Sequence, residues 1–458
     1  MKIQKSIILN LDVSDLKTLR KAGRKVETAV GISAVTCAGL LTSILVKPSV
    51  NIKKHNVSIY WMVVMIGALA LILTKSISLK EVIAGLSADT AVNPIKILVL
   101  FFSMSVLSVF LDEVGFFRYM ACFTLSKAKA SQKKLFVFLF VIVSVLTVFT
   151  SNDIIILTFT PFICYFAKNA GIDPTPYLFC ELVAANTWSM MFVIGNPTNI
   201  YLATANGITF MEYFQVMALP TLAAGLAAFL VLYLLFRKKL SEPLKPNKAE
   251  EKITDKRLLG IGLLHLSLCT VMLVISAYIN LEMWLITLCF ACSLFVFDLC
   301  YRGLSHTHGN ELKDCLKRVP WEMVPFIISM FVIVLTLDKY GVTERISSLL
   351  ECAHPEFSYG AASFLTANMI NNIPMSVLFC PVISNASAAI TQPAVYAAIV
   401  GSNLGALLTP VGALAAIMWS NILKKNHVAF RYTSYIKNGV IVSIPALLAA
   451  LVVLGLSL

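Results

Sequence analysis

The chain has 458 residues, of which 58% are hydrophobic and only 13% are charged. Soluble domains carry about 25% charged residues, so this composition excludes a soluble protein and predicts an all-α, multi-pass protein of the inner or plasma membrane. The net charge of +13 does not indicate nucleic acid as a partner, because the basic residues cluster between apolar runs, as they do in cytoplasmic loops.

The first part of the chain predicts a basic lead-in followed by membrane spans. Residues 1–26 are basic and lack the apolar core of a cleavable signal peptide. Apolar runs follow at about 28–46, 58–74 and 93–111, each close to the length that crosses about 30 Å of hydrocarbon. The segment 115–134 is amphipathic and basic, which predicts a helix lying along the cytoplasmic surface.

A polar sequence, Thr150 to Asp153, then separates two apolar arms at 135–149 and 154–167. Irregular backbone at membrane depth is tolerated only where protein or a water-filled cavity covers it. We therefore predict a re-entrant hairpin with Ser151, Asn152 and Asp153 at its tip. The Asn152 amide offers an oxygen to cations and a nitrogen to anions; the alternative is that it caps the second arm.

Two acidic residues in this region are candidates for coupling transport to an ion. Asp153 is the only acid in either predicted tip, and a carboxylate at membrane depth can carry a proton or bind a cation. Its alternative role is to stabilise a helix N-terminus. Glu181 lies near the start of the next span and fits either a coupling group or an interfacial residue.

The next span, 176–206, is broken in its middle. An unwound helix exposes backbone carbonyls and a helix N-terminus, which attract a cation and an anion respectively. A further span at 212–236 completes a first repeat over residues 27–236. The predicted binding residues of the break are Gly195, Asn196, Pro197, Thr198 and Asn199.

A basic segment, 237–257, is predicted to be a cytoplasmic linker to a second repeat over residues 258–458. Spans are expected near 259–279, 281–300 and 322–338, then a hairpin at 358–390, a broken span at 392–423 and a last span at 433–457. The second tip and the second break supply the remaining predicted binding residues, namely Asn371, Asn372, Ser402, Asn403, Thr409, Pro410 and Gly412.

The two halves match one another at near-constant spacing, which indicates duplication. The distribution of Lys and Arg places the two hairpins on opposite sides of the membrane, so the repeats are predicted to be inverted. The side of the N-terminus is left open, because the same scheme puts the basic lead-in outside. The matching pairs are Asp112 and Asp338, 226 residues apart; Asn152 and Asn372, as well as Pro161 and Pro381, 220 apart; and Pro220 and Pro445, 225 apart.

Four motifs together resemble the ion-transporter superfamily, in its branch of arsenite/antimonite efflux pumps (ArsB-like) and sodium/proton antiporters. They are FLDEVGFF (110–117), SNDIIILTFTP (151–161), NNIP (371–374) and GSNLGALLTPVGALAAIMW (401–419). The resemblance implies a homodimeric carrier with a scaffold and a moving domain, working by an elevator motion.

The chain departs from the arsenite pumps at two places, one of them inside the fourth motif. Asn403 stands where those pumps are expected to have an Asp, and the sequence GNPTN at 195–199 is similar to a loop of the divalent-anion and citrate carriers. These carriers are sodium symporters, so the departures bear on both the load and the coupling ion.

We therefore predict a secondary active transporter that exports a small oxyanion or metalloid such as arsenite, driven by a cation or proton gradient. The alternatives are sodium-coupled uptake of an inorganic anion or dicarboxylate, and sodium/proton antiport. A channel would lack inverted symmetry, and the sequence offers no HExxH or GxSxG motif of an enzyme. A bound sodium ion is the one cofactor left open.

Overall fold

The structure is a computed structural model. It describes residues 13–46, 49–52, 55–88, 93–128, 131–242, 253, 255–305, 311–428 and 431–458. Much of the predicted lead-in at 1–26, and the middle of the predicted linker at 237–257, lie outside these residues. Within them the chain is almost entirely helical, which confirms the predicted fold class.

In the first half, a short antiparallel β-hairpin follows the first helix, and a 3-10 turn at Val193–Gly195 separates two of the later helices. The elements are α1 (Val13–Val46), β1 (Ser49–Ile52), β2 (His55–Ser58), α2 (Tyr60–Leu73), α3 (Leu79–Ser87), α4 (Pro94–Glu113), α5 (Phe116–Lys127), α6 (Gln132–Phe149), α7 (Asn152–Ala170), α8 (Thr175–Trp188), α9 (Pro197–Ala205) and α10 (Phe210–Phe236).

The second half has a matching 3-10 turn at Pro410–Gly412. Its helices are α11 (Lys256–Ile275), α12 (Met283–Ser305), α13 (Glu311–Arg318), α14 (Met323–Lys339), α15 (Val342–Leu350), α16 (Pro355–Ile370), α17 (Asn372–Ser384), α18 (Ala388–Gly405), α19 (Leu414–Lys425) and α20 (Tyr432–Ser457).

Eight helical segments of the described chain are long and apolar enough to cross a membrane. The span predicted at 58–74 is a shorter apolar helix of 14 residues, α2. The eight spanning segments confirm the prediction of a multi-pass membrane protein. The eight segments are Gly23–Val46, Pro94–Glu113, Gln132–Phe149, Phe210–Phe236, Lys256–Ile275, Met283–Leu304, Leu312–Lys339 and Tyr432–Ser457.

Helix α4 lies in the interior of the protein. In its apolar window 78% of the residues are buried, against 33% for α11 and 28% for α12. The difference follows from sequence, because α4 is apolar on all sides and a helix of that kind is stable only when other helices surround it. Asn93 begins α4 by accepting from the backbone N–H of Ile95 at 2.8 Å, and Pro94 occupies its first turn.

The amphipathic helix predicted at 115–134 is shorter than expected. Helix α5 ends at Lys127, and α6, the first hairpin arm, already begins at Gln132. The Ser131 hydroxyl accepts from the backbone N–H of Lys134, so a capping residue starts the arm inside the basic stretch. The predicted boundary is therefore wrong by a few residues, because Lys133 and Lys134 belong to the first turn of α6 and not to the surface helix.

The same order of elements occurs twice along the described chain. In each half, an interior span ends at a glycine in the left-handed region, Gly115 (φ 89°) or Gly341 (φ 70°), where only glycine is unstrained. A short helix, a hairpin, a broken span and a long span follow in both halves. This repetition agrees with the predicted duplication, whereas the inverted relation of the two halves stays a prediction.

Candidate functional site

The first hairpin tip joins α6 to α7. Asn152 is the first residue of α7 and is buried, and its Nδ2 donates to Oδ1 of Asn186 on α8 at 3.2 Å. The Oδ1 atom of Asn152 is also buried, but it has no hydrogen-bond partner in the described part of the chain. The alternative that Asn152 caps the second arm was wrong, because its oxygen accepts no backbone N–H.

The other two tip residues face a different environment. Ser151 and Asp153 line a cavity of about 430 Å³, and Asp153 is half-buried. The cavity lies between α4, α7, α14 and α19, so it gives access to the first tip from one end of the helix bundle. Further lining residues are Tyr60, Arg318, Pro320, Glu322, Lys424 and Lys425.

The first broken span unwinds between Trp188 and Pro197. Asn196 has extended backbone, and its Oδ1 accepts from the backbone N–H of Thr198 at 3.2 Å, so it caps α9. Gly195 is required here, because an added Cβ would lie 2.3 Å from the carbonyl oxygen of Ser189. Pro197 occupies the first turn of α9, where its missing N–H has no intrahelical partner to lose.

Asn403 on α18 joins the two broken spans. Its Oδ1 accepts from Ser189 Oγ at 3.0 Å and from Asn196 Nδ2 at 2.8 Å. Its Nδ2 donates to Asn199 Oδ1 at 2.7 Å and to the carbonyl oxygen of Ile399 at 2.9 Å. The polar breaks of the two halves therefore meet, and the amide of Asn403 is fully occupied by protein groups.

The second hairpin tip contains two asparagines with different roles. Asn371, which has a positive φ of 75°, caps α17 by accepting from the backbone N–H of Ile373 at 3.3 Å. Its Nδ2 donates to the carbonyl oxygen of Val411 in the second break at 2.9 Å. Asn372 is buried, and its Oδ1 finds no hydrogen-bond partner among the residues described. Asn372 is therefore the counterpart of Asn152.

The second broken span is held by Asn368 on α16. Asn368 Oδ1 accepts from both the backbone N–H and the hydroxyl of Thr409, and its Nδ2 donates to the carbonyl oxygen of Gly405 at 2.9 Å. A Cβ on Gly412 would lie 2.7 Å from the same carbonyl oxygen. Ser402 is fully buried, and its hydroxyl has no partner in the described chain.

The two broken spans are equivalent at a spacing of 217 residues, not at the 213 that pairing Pro197 with Pro410 suggests. Asn186 and Asn403 both donate to the carbonyl four residues earlier, Leu182 and Ile399 respectively. Gly195 and Gly412, also 217 apart, each end a 3-10 turn before an extended residue. Pro197 and Pro410 do not mark equivalent positions, because each proline lies in the first turn of its own short helix.

The two halves also pack on one another reciprocally. The second arm of the first hairpin, α7, packs on α19, and the second arm of the second hairpin, α17, packs on α9. Each hairpin arm therefore contacts the segment that follows the break in the other half. No hydrogen bond joins Asn152 to Asn372 in the described structure; the tips are connected through the breaks.

Three residues of this network escaped the sequence reasoning: Asn186, Ser189 and Asn368. Each is a polar residue inside an otherwise apolar run, which is the signal that identified the tips. Asn186 and Asn368 could have been found in this way. Ser189 could not, because a lone serine in a helix more often bonds its own backbone, as Ser189 also does with the carbonyl oxygen of Asn186 at 2.9 Å.

Glu181 is fully buried inside the protein, and its depth in the membrane, as a coupling group or as an interfacial residue, stays a prediction. It lies on α8, and the Thr160 hydroxyl of α7 donates to its two carboxyl oxygens at 2.8 and 3.0 Å. Among the described residues no Lys, Arg or His forms an ion pair with it.

Asp112 is held at the end of α4 by an ion pair with Arg318. Arg318 donates to Asp112 and, at 2.6 Å, to Glu113. Thr158 on α7 donates to the other oxygen of Asp112 at 2.9 Å. Thr158 therefore connects the first hairpin to the interior helix α4, and Arg318 connects α4 to the end of α13.

The described residues contain no group of three or more His, Cys, Asp or Glu that could hold a metal ion. Apart from the carboxyl group of Asp153, the oxygens of the residues at the tips and breaks are amide, hydroxyl and backbone oxygens. Such hard, mostly neutral ligands suit a sodium ion or the hydroxyl groups of a solute, and they do not suit a transition metal.

Comparison with known proteins places this arrangement in a family. Residues 57–401 match the family described as citrate transporter. The chain is 28% identical over 372 residues to the arsenical pump membrane protein of Escherichia coli K12, covering 78% of this chain and 85% of that protein. It is 24% identical over 406 residues to the putative arsenical pump membrane protein of Bacillus subtilis 168, covering 82% and 89%.

A solved structure shows the same fold. The crystal structure of the Alcanivorax borkumensis YdaH transporter, described as having an unusual topology, aligns with 94% of this chain and 98% of its own, with a TM-score of 0.53 and 12% identity. At that identity the likeness concerns the fold alone.

Proposed function

The chain belongs to the citrate transporter family and is a multi-pass transporter of the plasma membrane, and from this premise we propose that it exports a small oxyanion or metalloid of the arsenite type. Export is driven by a cation or proton gradient. The load binds between the two hairpin tips and the two breaks, and the hairpins move with the load past a scaffold of interior and lipid-facing helices. The protein acts as a homodimer of two inverted repeats per subunit.

The observation that carries this proposal is the pair of buried amide oxygens on Asn152 and Asn372, each without a hydrogen-bond partner in the described chain. An unsatisfied buried polar group costs about 1–3 kcal/mol, so two of them at equivalent positions point to ligands that bind there. Helices α7, α9, α17 and α19 begin at the same tips and breaks, and their N-termini favour an anion or an oxygen-rich solute.

Sodium fits these two oxygens as a bound cation. The asparagine oxygens and neighbouring backbone carbonyls are the hard, neutral ligands that such an ion takes. Asn152 would contribute at the first tip and Asn372 at the second. Sodium would supply positive charge beside the load, and the chain's own groups would orient both.

The choice of load rests on the relatives. The two relatives reported above are named arsenical pump membrane protein and putative arsenical pump membrane protein, which favours arsenite and outward transport. Because Asn403 makes four bonds to protein, we propose that it holds the two breaks in place and that the load is bound by Asn152, Asn372 and the helix N-termini.

A second candidate is sodium-coupled uptake of citrate or another carboxylate anion. The family match and the basic residues Lys424 and Lys425 at the cavity favour it, because anions concentrate near positive charge. Sodium/proton antiport is a third candidate, to which the carboxyl groups of Asp153 and Glu181 would contribute.

Flux in proteoliposomes tests these candidates. Purified protein is reconstituted, and uptake of arsenite, citrate and sulfate is followed under an imposed pH gradient or sodium gradient. The proposal predicts accumulation of arsenite and not of citrate. Citrate accumulation driven by sodium would establish the second candidate, and proton flux coupled to sodium with neither solute would establish the third.

A further inference from the structure

The buried carboxyl group of Glu181 has an environment that the proposed binding site does not explain. It is 0% exposed, and the Thr160 hydroxyl is its hydrogen-bond donor. Thr160 is also fully buried and directly precedes Pro161, the proline inside α7. The carboxyl group therefore lies between the first broken span and the second arm of the first hairpin.

No positive charge of the described residues lies close enough to balance an ionised Glu181. The titratable groups that interact with it include the thiols of Cys164 on α7 and Cys180 on α8. Tyr177, one turn earlier on α8, uses its hydroxyl to bond Gln132. Helices α6, α7, α10 and α18 pack on α8, and their charged side chains all lie in the terminal turns: Lys133, Lys134, Asp153, Lys168 and Glu212. Phe179 of α8 also packs on Trp419 of α19 and Tyr435 of α20. The charged side chains of these two helices form no ion pair with Glu181 in the described chain: Lys424, Lys425 and Lys437.

An unpaired carboxylate in such a place is energetically unfavourable. Removing a charge from water into a protein interior without a partner costs several kcal/mol, and such groups take up a proton instead. A single hydroxyl donor offsets only part of this cost, since one hydrogen bond to a charged group contributes about 1.5–3 kcal/mol. Burial without a charged partner therefore favours the neutral carboxylic acid form of Glu181 in this conformation.

Asp153 and Glu181 differ in how far their carboxyl groups are exposed, which matters for proton exchange. Asp153 is half-buried and lines the 430 Å³ cavity, so part of its side chain faces that cavity in this conformation. Glu181 has no such access. A group that is dry and neutral in one conformation can exchange its proton only in another, which is the property that coupling to a proton gradient requires.

We propose that Glu181, hydrogen-bonded to Thr160, is the proton-binding site that couples transport to the proton gradient. The inference rests on the proposed transport function and names its coupling ion. Glu181 holds one proton in the conformation described here. When α7 and α8 rearrange and water reaches the carboxyl group, the O–H bond breaks, the proton passes to water, and the carboxylate keeps the electron pair.

Infrared spectroscopy tests the protonation without any assumption about the load. Wild type, Glu181→Gln and the surface control Glu344→Gln are compared at neutral pH. The wild-type spectrum should contain the C=O stretching band of a protonated carboxylic acid, which Glu181→Gln loses and Glu344→Gln keeps. Loss of a carboxylate band in Glu181→Gln, in place of that acid band, would show that Glu181 is ionised and would overturn the proposal.

A second variant tests the contact with Thr160. Thr160→Val keeps the shape of the side chain and removes the hydroxyl donor. The acid C=O band should persist and move to higher frequency, because a carbonyl released from a hydrogen bond stretches at higher frequency. A band at its wild-type frequency would show that Thr160 does not bind the protonated group.

Transport then tests coupling. In proteoliposomes with arsenite as the load, Glu181→Gln should exchange arsenite at equal pH and should lose accumulation driven by a pH gradient. Wild-type accumulation in Glu181→Gln would show a merely structural role and overturn the inference. If wild type carries no arsenite, the proposed function fails, while the infrared result still decides whether Glu181 holds a proton.

Discussion

The side-chain nitrogen of Asn403 donates to the side-chain oxygen of Asn199 at 2.7 Å, across 204 residues of sequence. One residue belongs to the second broken span and the other to the first. The contact places the unwound segments of the two halves directly against each other. Because both amides are also bonded to backbone carbonyls, the pair is a structural joint between the halves.

Removing this joint should destabilise the protein. Asn403→Ala leaves Asn196 Nδ2 without its acceptor and removes the donor at 2.7 Å from Asn199 Oδ1, and each unsatisfied buried group costs about 1–3 kcal/mol. The Ser189 hydroxyl keeps its bond to the carbonyl oxygen of Asn186. We expect a melting temperature in detergent well below that of wild type. The matched control is Asn426→Ala at the exposed end of α19, which should melt with wild type. Equal melting of the two variants would show that the joint contributes nothing.

The tip asparagines should behave in the opposite way. Asn372→Leu replaces a buried, unpaired amide oxygen with an apolar group of similar volume, a change that is nearly neutral or stabilising. Without ligand its melting temperature should equal or exceed that of wild type. The stabilisation of wild type by sodium or by its load should be absent. Asn426→Leu should keep that stabilisation, and a ligand shift retained in Asn372→Leu would remove Asn372 from the site.

A methyl group added at the close crossing of α16 and α18 should destabilise the protein. A Cβ on Gly401 of α18 would lie 1.9 Å from Ser363 Oγ and 2.2 Å from the carbonyl oxygen of Gly360 on α16. Close crossings between membrane helices depend on such small residues. Gly401→Ala should lower the free energy of unfolding by about 1–3 kcal/mol or more, measured by denaturation in detergent. Gly260→Ala, with nothing within 4 Å of the new Cβ, should not.

The ion pair at the end of α4 should matter more than a neighbouring surface pair. Arg318→Met leaves the buried carboxylate of Asp112 without its cation, and breaking a fully buried pair costs about 3–5 kcal/mol. Because Arg318 is 34% exposed, we expect a smaller loss, about 1–3 kcal/mol. Lys317→Met, which breaks the exposed pair with Asp314, should change stability by less than about 0.5 kcal/mol.

The double variant decides whether charge is the cause. Adding Asp112→Asn to Arg318→Met removes the stranded carboxylate, so the double variant should be more stable than Arg318→Met alone. No recovery would assign the loss to packing of the arginine side chain. Melting curves of wild type, Arg318→Met, Asp112→Asn and the double variant measure the coupling between the two side chains.

The sequence predicted the architecture well because its signals were local. Apolar runs of span length, polar tips inside them and the repeat of Asp112 and Asp338 are visible without any structure. Boundaries were less certain where two signals overlapped, as at Ser131, which caps α6 inside a basic stretch. The spacing of 217 residues between the two breaks could not be read from Pro197 and Pro410, because the equivalent positions are those of the bonding asparagines, Asn186 and Asn403.

The different roles of the four buried asparagines could not be predicted from the sequence. Asn371 caps a helix, Asn403 joins the halves, and Asn152 and Asn372 keep an unpaired oxygen, although all four are buried amides. Their roles depend on which groups of the other half approach them, and that is set by tertiary packing. For the same reason the contact between Glu181 and Thr160 could not be predicted from the sequence, which left Glu181 open between a coupling group and an interfacial residue.

Counterflow in proteoliposomes loaded with arsenite, citrate or sulfate tests most directly whether the two tips form one site. Wild type, Asn152→Leu, Asn372→Leu and Asn426→Leu are compared for whichever load wild type exchanges. The account predicts that both tip variants lose exchange of that load, while Asn426→Leu exchanges it at the wild-type rate. Wild-type exchange by either tip variant would contradict it.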